Sequence, residues 1–189
     1  MQKLYCYVDE TGQETVGAIF IVSIVVIDKE KDQLLKLCEQ LETLSGKHKD
    51  KWGATKHDRR MRYLRHIFAD DRFKGKLRYS LFRHTREYDA SSVEAIAKAV
   101  LWDKPVKSYT SIIYVDGLSK TKRRDYAVAL RRFGIPIRKV MGVAKDESNA
   151  FTRLADSIAG FVGDASIGRF KEITELCDRV KHDEILIEV

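Results

Sequence analysis

The chain has few of the residues and patterns that mark disordered, disulfide-rich or membrane-spanning proteins. Two prolines among 189 residues, together with 44% hydrophobic residues, exclude a low-complexity chain and favour a folded core. The three cysteines are far apart and form no CxxC pair, which argues against a disulfide framework and against a zinc site. The longest apolar run, residues 16–27, is much shorter than the roughly 20 residues that cross a bilayer.

The first residues also lack the pattern of a secretory leader. Residues 1–15 contain Asp9, Glu10 and Glu14, whereas a signal peptide begins with positive charge. We therefore expect a cytoplasmic protein with no membrane segment. The length of the chain favours one domain over residues 1–189.

Positive charge is concentrated in two segments of the chain. Residues 46–88 hold fourteen Lys and Arg against five acids, and residues 119–139 hold eight against one. Residues 1–30, in contrast, have a net charge of −3. Basic segments of this kind form either a solubilising surface or a contact with a polyanion, so the charge alone leaves a nucleic-acid partner open.

The apolar periodicity predicts an α/β protein with a mixed five-stranded sheet flanked by helices. Strands are predicted over residues 4–8, 16–27, 76–84, 111–115 and 137–143. Helices are predicted over residues 29–44, 57–68, 90–102, 120–132, 149–162 and 167–180. The strand at residues 111–115 is apolar on both faces, which indicates a central position in the sheet.

Two aspartates stand out because each directly follows an apolar strand. Asp9 and Asp116 lie at the carboxyl ends of their predicted strands, where α/β proteins gather functional groups. If the two strands are neighbours, the carboxylates lie side by side and need a cation or a shared proton. Aspartate is also a common turn residue, so neither position alone identifies a functional site.

A third aspartate, Asp156, lies on a helix with an unusual polar face. Opposite its apolar face this helix carries Thr152, Asp156, Ala159, Gly160 and Gly163, where a surface helix would show long polar side chains. We predict that this face also packs against the protein. A carboxylate in such a place is expected to be paired or metal-bound. The alternative is an exposed face that happens to be small.

Three motifs around these aspartates resemble a known family. Residues 7–12 read YVDETG and resemble the YVDESG opening of a large bacterial domain-of-unknown-function family with a predicted RNase H-like fold. Residues 113–116, IYVD, resemble its central strand, and residues 154–160, LADSIAG, resemble its closing LADxIAG helix. RuvC-type resolvases end in a similar helix that carries an aspartate. The resemblance implies an RNase H-like fold whose active-site acids are Asp9, Asp116 and Asp156.

The chain departs from the order of strands and helices in RNase H at one place, and it does not identify the fourth active-site carboxylate. Residues 28–73 insert two helices, with much of the positive charge, between the second and third strands, which are consecutive in RNase H. The fold also implies a fourth carboxylate. The candidates are Glu10, Glu94, Asp146 and Glu147. Glu10 joins Asp9 only if the first strand has already ended, because adjacent strand residues point to opposite faces.

Convergent carboxylates suit hard divalent cations, so we expect Mg²⁺ or Mn²⁺ as the cofactor. Two such ions can activate a water and stabilise the leaving oxygen of a phosphodiester, with Asp9 as the bridging ligand and Asp116 and Asp156 on either ion. We predict a metal-dependent nuclease or resolvase-like phosphodiesterase acting on nucleic acid. The alternatives are a non-catalytic nucleic-acid-binding module on the same fold and a nucleotide-binding protein of the actin-like type.

Contacts with nucleic acid are predicted in two segments. The first is the start of a basic helix that carries Lys120, Lys122, Arg123 and Arg124. Backbone N–H groups at a helix start also favour phosphate. In the insert, Lys51 would contact the phosphate backbone and Trp52 would stack on a base. The alternatives are a solvated basic helix and a tryptophan in the core.

Overall fold

Among the residues that the structure describes, six strands form one mixed β-sheet. The computed structural model describes residues 1–16, 18–103, 108–144 and 149–189. The strands are β1 Gln2–Thr11, β2 Ile19–Ile27, β3 Leu77–Arg83, β4 Tyr109–Asp116, β5 Ile137–Val143 and β6 Leu186–Glu188. They lie in the order β5–β4–β1–β2–β3–β6. The first three strands are antiparallel neighbours, whereas β4 and β5 continue the sheet in parallel with β1.

Helices cover both faces of this sheet. They are α1 Lys31–Ser45, α2 His57–Phe68, α3 Tyr88–Trp102, α4 Lys120–Arg132, α5 Ala150–Ser166 and α6 Lys171–His182. Because side chains alternate along each strand, the core has two halves. Tyr7 of β1 packs with α1, α2, α5 and α6, whereas Cys6 and Val8 pack with α3 and α4. Within the described ranges, none of the helices has the length and apolar character that crossing a membrane requires.

The predicted α/β class and mixed sheet are confirmed, but the number of strands and several strand bounds differ from the prediction, and β2 begins at Ile19 rather than at residue 16. The sheet has six strands rather than five, because β6 pairs in parallel with β3. At three residues, β6 is too short to show an alternating pattern in the sequence. The first strand also continues through Asp9 and Glu10 to Thr11, because these residues still pair with β2.

The register between β1 and β4 decides where two of the aspartates lie. β4 lies between β1 and β5, which confirms its predicted central position. Tyr7 pairs with Tyr114, and their rings stack with centroids 4.9 Å apart. Val8 pairs with Val115, so the next residues of the two strands are Asp9 and Asp116.

The insert between β2 and β3 contains α1 and α2 and packs on the same face as α5. Arg153 of α5 donates two hydrogen bonds of 2.7 Å to Glu42 of α1, and both side chains are buried. Lys47, also buried, has its ammonium 3.8 Å from the same carboxylate. Removing one partner of such a buried pair costs about 3–5 kcal/mol, so these contacts hold the insert against α5.

Candidate active site

Three elements bring three aspartates to one edge of the sheet. Asp9 and Asp116 follow paired residues of the parallel strands β1 and β4. Asp156 lies on α5, which packs against β1 and β2. The Ser23 hydroxyl of β2 donates to the Ala155 carbonyl of α5 at 2.6 Å. Since Ser23 is also the β2 partner of Asp9, the one hydroxyl in this apolar strand holds the helix beside Asp9.

The charges of these carboxylates are incompletely compensated by the protein. Burial is the largest cause that raises the pKa of Asp9 well above its usual value, and the carboxylates of Asp156 and Asp116 raise it further. Burial also raises the pKa of Asp156, and the Asp116 carboxylate adds a smaller contribution. Burial is thus the main cost of ionising Asp9 and Asp156, and a bound cation would offset that cost.

A lysine of the insert enters the same cluster. The Lys51 ammonium lies 2.8 Å from Asp116 Oδ2, and the lysine side chain is 51% exposed while that of Asp116 is 15% exposed. This hydrogen bond is the main cause that raises the pKa of Lys51, and the charges of Asp9 and Asp156 act in the same direction. Lys51 therefore supplies positive charge to all three carboxylates.

The three aspartates are suitable ligands for a hard divalent cation, although their side chains do not yet have the arrangement of a metal site. Within the described ranges, no three side chains of His, Cys, Asp or Glu already form a ligand set for a metal ion. The carboxylates are nevertheless the ligands that Mg²⁺ prefers. Asp156 Oδ2 accepts a 2.7 Å hydrogen bond from the Trp52 backbone N–H, which orients it. A divalent cation at Asp116 would share or replace the contact that the Lys51 ammonium makes with Oδ2.

Trp52 holds the insert against α5 and does not face solvent. Its side chain is 7% exposed, and its Nε1 donates to Asp164 at 3.1 Å. The Arg60 guanidinium lies 4.3 Å from the ring centre and 3.2 Å from Asp164. The prediction that Trp52 stacks on a base is therefore wrong, because the ring is buried between the insert and α5.

One of the small residues beside Asp156, Gly160, is explained by this tryptophan. A Cβ added at Gly160 would approach the Trp52 ring to 2.2 Å, so only glycine leaves room for it. The prediction that this helix face packs against the protein is confirmed. Asp164, which the sequence analysis missed, lies four residues after Gly160 and therefore on the same face. That spacing is the signal by which it could have been found.

Glu10 points to the other face of the sheet. Because β1 continues to Thr11, Glu10 alternates with Asp9 and lies toward α3. Its carboxylate accepts hydrogen bonds from the Ser92 hydroxyl of α3 and, at 3.1 Å, from the Gln13 amide. The prediction that Glu10 acts with Asp9 is contradicted by this placement, since the strand does not end at Asp9.

Comparisons with known proteins agree with this geometry. No protein-family model and no curated protein sequence matches the chain. The ribonuclease HII of Archaeoglobus fulgidus, solved in complex with PCNA, is similar over 89% of this chain and 77% of that chain, with a TM-score of 0.57 and 20% identity. The chain has an RNase H-like fold. The ribonuclease H2 of Pyrococcus horikoshii is similar over 89% of this chain and 76% of its own, with a TM-score of 0.56 and 17% identity.

The predicted RNase H-like fold is thus confirmed, while membership of the bacterial family with the YVDESG opening stays a prediction. Among the described residues, neither Glu10 nor Glu94 lies on the Asp9 face of the sheet, so the fourth carboxylate that the family resemblance implies stays unassigned. Glu94 pairs with Lys98 at 2.8 Å on α3, which packs on the sheet face opposite to Asp9. Asp146 and Glu147 lie outside the described residues.

The basic start of α4 presents some of its cations to solvent. Lys120 and Arg124 are exposed. The Lys122 ammonium lies 2.7 Å from Asp89, and the Arg123 guanidinium donates to a backbone carbonyl of β5 at 3.3 Å. The Lys122 pair is about half exposed on both sides, so it contributes about 0–1 kcal/mol. Contact of these four side chains with nucleic acid stays a prediction.

Proposed function

We propose that this protein is a divalent-metal-dependent nuclease that hydrolyses phosphodiester bonds of nucleic acid. The observation that carries the proposal is the convergence of Asp9, Asp116 and Asp156 from three elements at one edge of an RNase H-like sheet. The two ribonucleases of similar fold support the same class of reaction. Burial and the neighbouring carboxylates also oppose the ionised forms of Asp9 and Asp156, which a bound cation would stabilise.

Mg²⁺ or Mn²⁺ would be held by Asp9, Asp116 and Asp156. When bound, such ions activate a water molecule and stabilise the departing oxygen of a phosphodiester. The protein itself orients the ligands: the Trp52 N–H holds Asp156, and the Glu10 N–H donates to Asp9 Oδ1 at 2.9 Å. Asp9 would bind the ion together with the other two aspartates, because the carboxylates of both Asp116 and Asp156 act on its charge.

Nucleic acid is the proposed substrate because of the distribution of positive charge. Residues 46–88 and 119–139 have net charges of +9 and +7. The first segment includes Trp52 of the insert, whose backbone N–H binds Asp156. Cations along such segments neutralise phosphates and release counterions, which gives affinity for any nucleic acid. Exposed Lys120 and Arg124 would contribute from α4.

A second candidate function is a nucleic-acid-binding module without turnover. The ion pair between Lys51 and Asp116 favours it, since this lysine gives the cluster a counter-ion that requires no metal. The same basic segments would then serve binding alone, and Asp9 would have a structural role.

The test is a cleavage assay with Mn²⁺ on RNA, duplex DNA, an RNA–DNA hybrid and branched DNA. Wild type and Asp9→Asn are compared, because asparagine keeps the shape of the side chain and removes its charge. The matched control is Asp178→Asn, which changes an exposed aspartate of α6 in the same way.

We expect cleavage by wild type and by Asp178→Asn, its loss on chelation of the metal, and a loss of about 100-fold or more in Asp9→Asn. Equal cleavage by wild type and Asp9→Asn would reject the assignment of the site. Binding without cleavage of any substrate by wild type would favour the binding module.

A further inference from the structure

Lys51 is placed in the acidic cluster by a rigid piece of backbone. Its carbonyl accepts hydrogen bonds from the Thr55 hydroxyl at 2.9 Å and from the Ala54 N–H at 3.1 Å. The next residue, Trp52, is fixed to α5 through its buried ring and through its N–H bond to Asp156. The backbone of Lys51 is therefore held beside the cluster, while its four-carbon stem remains free to rotate.

The position of the Lys51 ammonium resembles that of a bound cation. It lies within hydrogen-bond distance of Asp116 and acts on the charges of Asp9 and Asp156. A lysine ammonium and a divalent cation carry the same sign of charge, so the Lys51 ammonium at 2.8 Å from Asp116 Oδ2 opposes the binding of a divalent cation to that carboxylate. Because the Lys51 side chain is half exposed, it has room to move toward solvent.

We infer that Lys51 is an internal counter-ion of the metal-free protein and competes with the divalent cation for Asp116. The inference rests on the proposed metal site and adds to it a built-in competitor supplied by the insert. In this arrangement the cluster stays partly neutralised without metal, and metal binding displaces Lys51 from Asp116. The affinity for metal is accordingly weaker than the three aspartates alone would give.

The test measures Mn²⁺ binding to the whole chain, without nucleic acid, by isothermal titration calorimetry and by electron paramagnetic resonance of free Mn²⁺. The variant is Lys51→Met, which keeps most of the stem and removes the charge. Lys51→Gln is the second variant, since its amide can still donate to Asp116 and preserve the local fold. The matched control is Lys49→Met, an exposed lysine of the same loop.

We expect Lys51→Met and Lys51→Gln to bind Mn²⁺ about two- to fivefold more tightly than wild type, the range of one partly exposed ion pair. Lys49→Met should change the affinity by less than about twofold, because a more distant exposed charge is screened. The rise in melting temperature on adding Mn²⁺ should also be larger in the Lys51 variants, since their metal-free cluster has lost a counter-ion.

Unchanged or weaker Mn²⁺ binding in both Lys51 variants would overturn the inference, as would an equal gain in Lys49→Met. The outcomes are separable from those of the proposed function. Tighter Mn²⁺ binding without any cleavage by wild type would keep Lys51 as a competitor and reject the nuclease. Metal-dependent cleavage by wild type, together with an unchanged Mn²⁺ affinity in both Lys51 variants, would keep the nuclease and reject Lys51 as a competitor.

Discussion

Two neighbouring residues of β1, Asp9 and Glu10, enter two different acidic clusters on opposite faces of the same sheet edge. On the α5 face, Asp9 meets Asp116 and Asp156, and Lys51 is the cation closest to the group. On the α3 face, Glu10 accepts hydrogen bonds from Ser92 and Gln13, and the nearby Asp89 is paired with Lys122 and with the hydroxyl of Tyr126.

The difference lies in how many donors each carboxylate receives. The two acids of the α3 face are bonded to a hydroxyl, an amide, an ammonium and a phenol. On the α5 face, burial and the neighbouring carboxylates raise the pKa of Asp9, and on the α3 face burial and the Asp89 carboxylate raise the pKa of Glu10 in the same direction. Within the described part of the chain, each of the two acids of the α3 face thus receives two donors, whereas each of the three acids of the α5 face receives one. The α5 face is therefore the one where a cation would add most stabilisation.

The largest expected contrast is in cleavage. Asp156→Asn should reduce the rate with Mn²⁺ by about 100-fold or more, because it removes a proposed ligand. Glu10→Gln should reduce it by less than about tenfold, because its partners Ser92 and Gln13 are on the other face. Single-turnover rates of both variants on one substrate measure the contrast. Similar losses in the two variants would show that the two faces act as one site.

Charge reversal on α4 should weaken nucleic-acid binding without involving either acidic cluster. Lys120 and Arg124 are exposed, so replacing both by Glu should lower the affinity at low salt by about tenfold and flatten its salt dependence. The control is the same pair of changes at Lys171 and Arg179, exposed residues of α6. Fluorescence anisotropy at several salt concentrations gives both quantities. Equal losses in the two double variants would mean that only net charge matters.

Gly160→Ala should disturb the α5 face by displacing the Trp52 ring. The added Cβ would approach that ring to 2.2 Å, and overpacking of this kind costs about 1–3 kcal/mol in the free energy of unfolding. Gly53→Ala is the control, since a Cβ there meets no atom within 4 Å. Urea unfolding distinguishes them, and an unchanged midpoint in Gly160→Ala would contradict the close packing of the ring.

The smallest expected effect is a pH dependence of stability that belongs to Asp9. Its pKa is raised in the folded protein above the usual 3.8, so its stabilising contribution is complete at low pH and is lost as the pH rises through the folded-state value. Without metal, Asp9→Asn should therefore gain stability relative to wild type as the pH rises from about 4 toward neutral. Thermal unfolding with a chelator checks this. A constant difference across that range would argue against charge repulsion at Asp9.

Much of the fold and part of the site follow from local patterns in the sequence. The positions of Asp9 and Asp116 depend on strand ends, and the apolar character of β4 already indicated its central place. The small face around Gly160 indicated a packing partner but not its identity, because the contact with Trp52 joins residues more than 100 positions apart. Glu10 was misplaced because the end of β1 depends on pairing with β2, which single-strand periodicity does not reveal.

The central claim is that a divalent cation binds on the Asp9 face and not on the Glu10 face, and Mn²⁺ binding to Asp9→Asn and Glu10→Gln tests it most directly. Titration calorimetry without nucleic acid, on the whole chain at neutral pH, gives the affinity of each variant. We predict that Glu10→Gln binds Mn²⁺ like wild type and that Asp9→Asn loses most of the affinity. Wild-type affinity in Asp9→Asn, or its loss in Glu10→Gln alone, would contradict the claim.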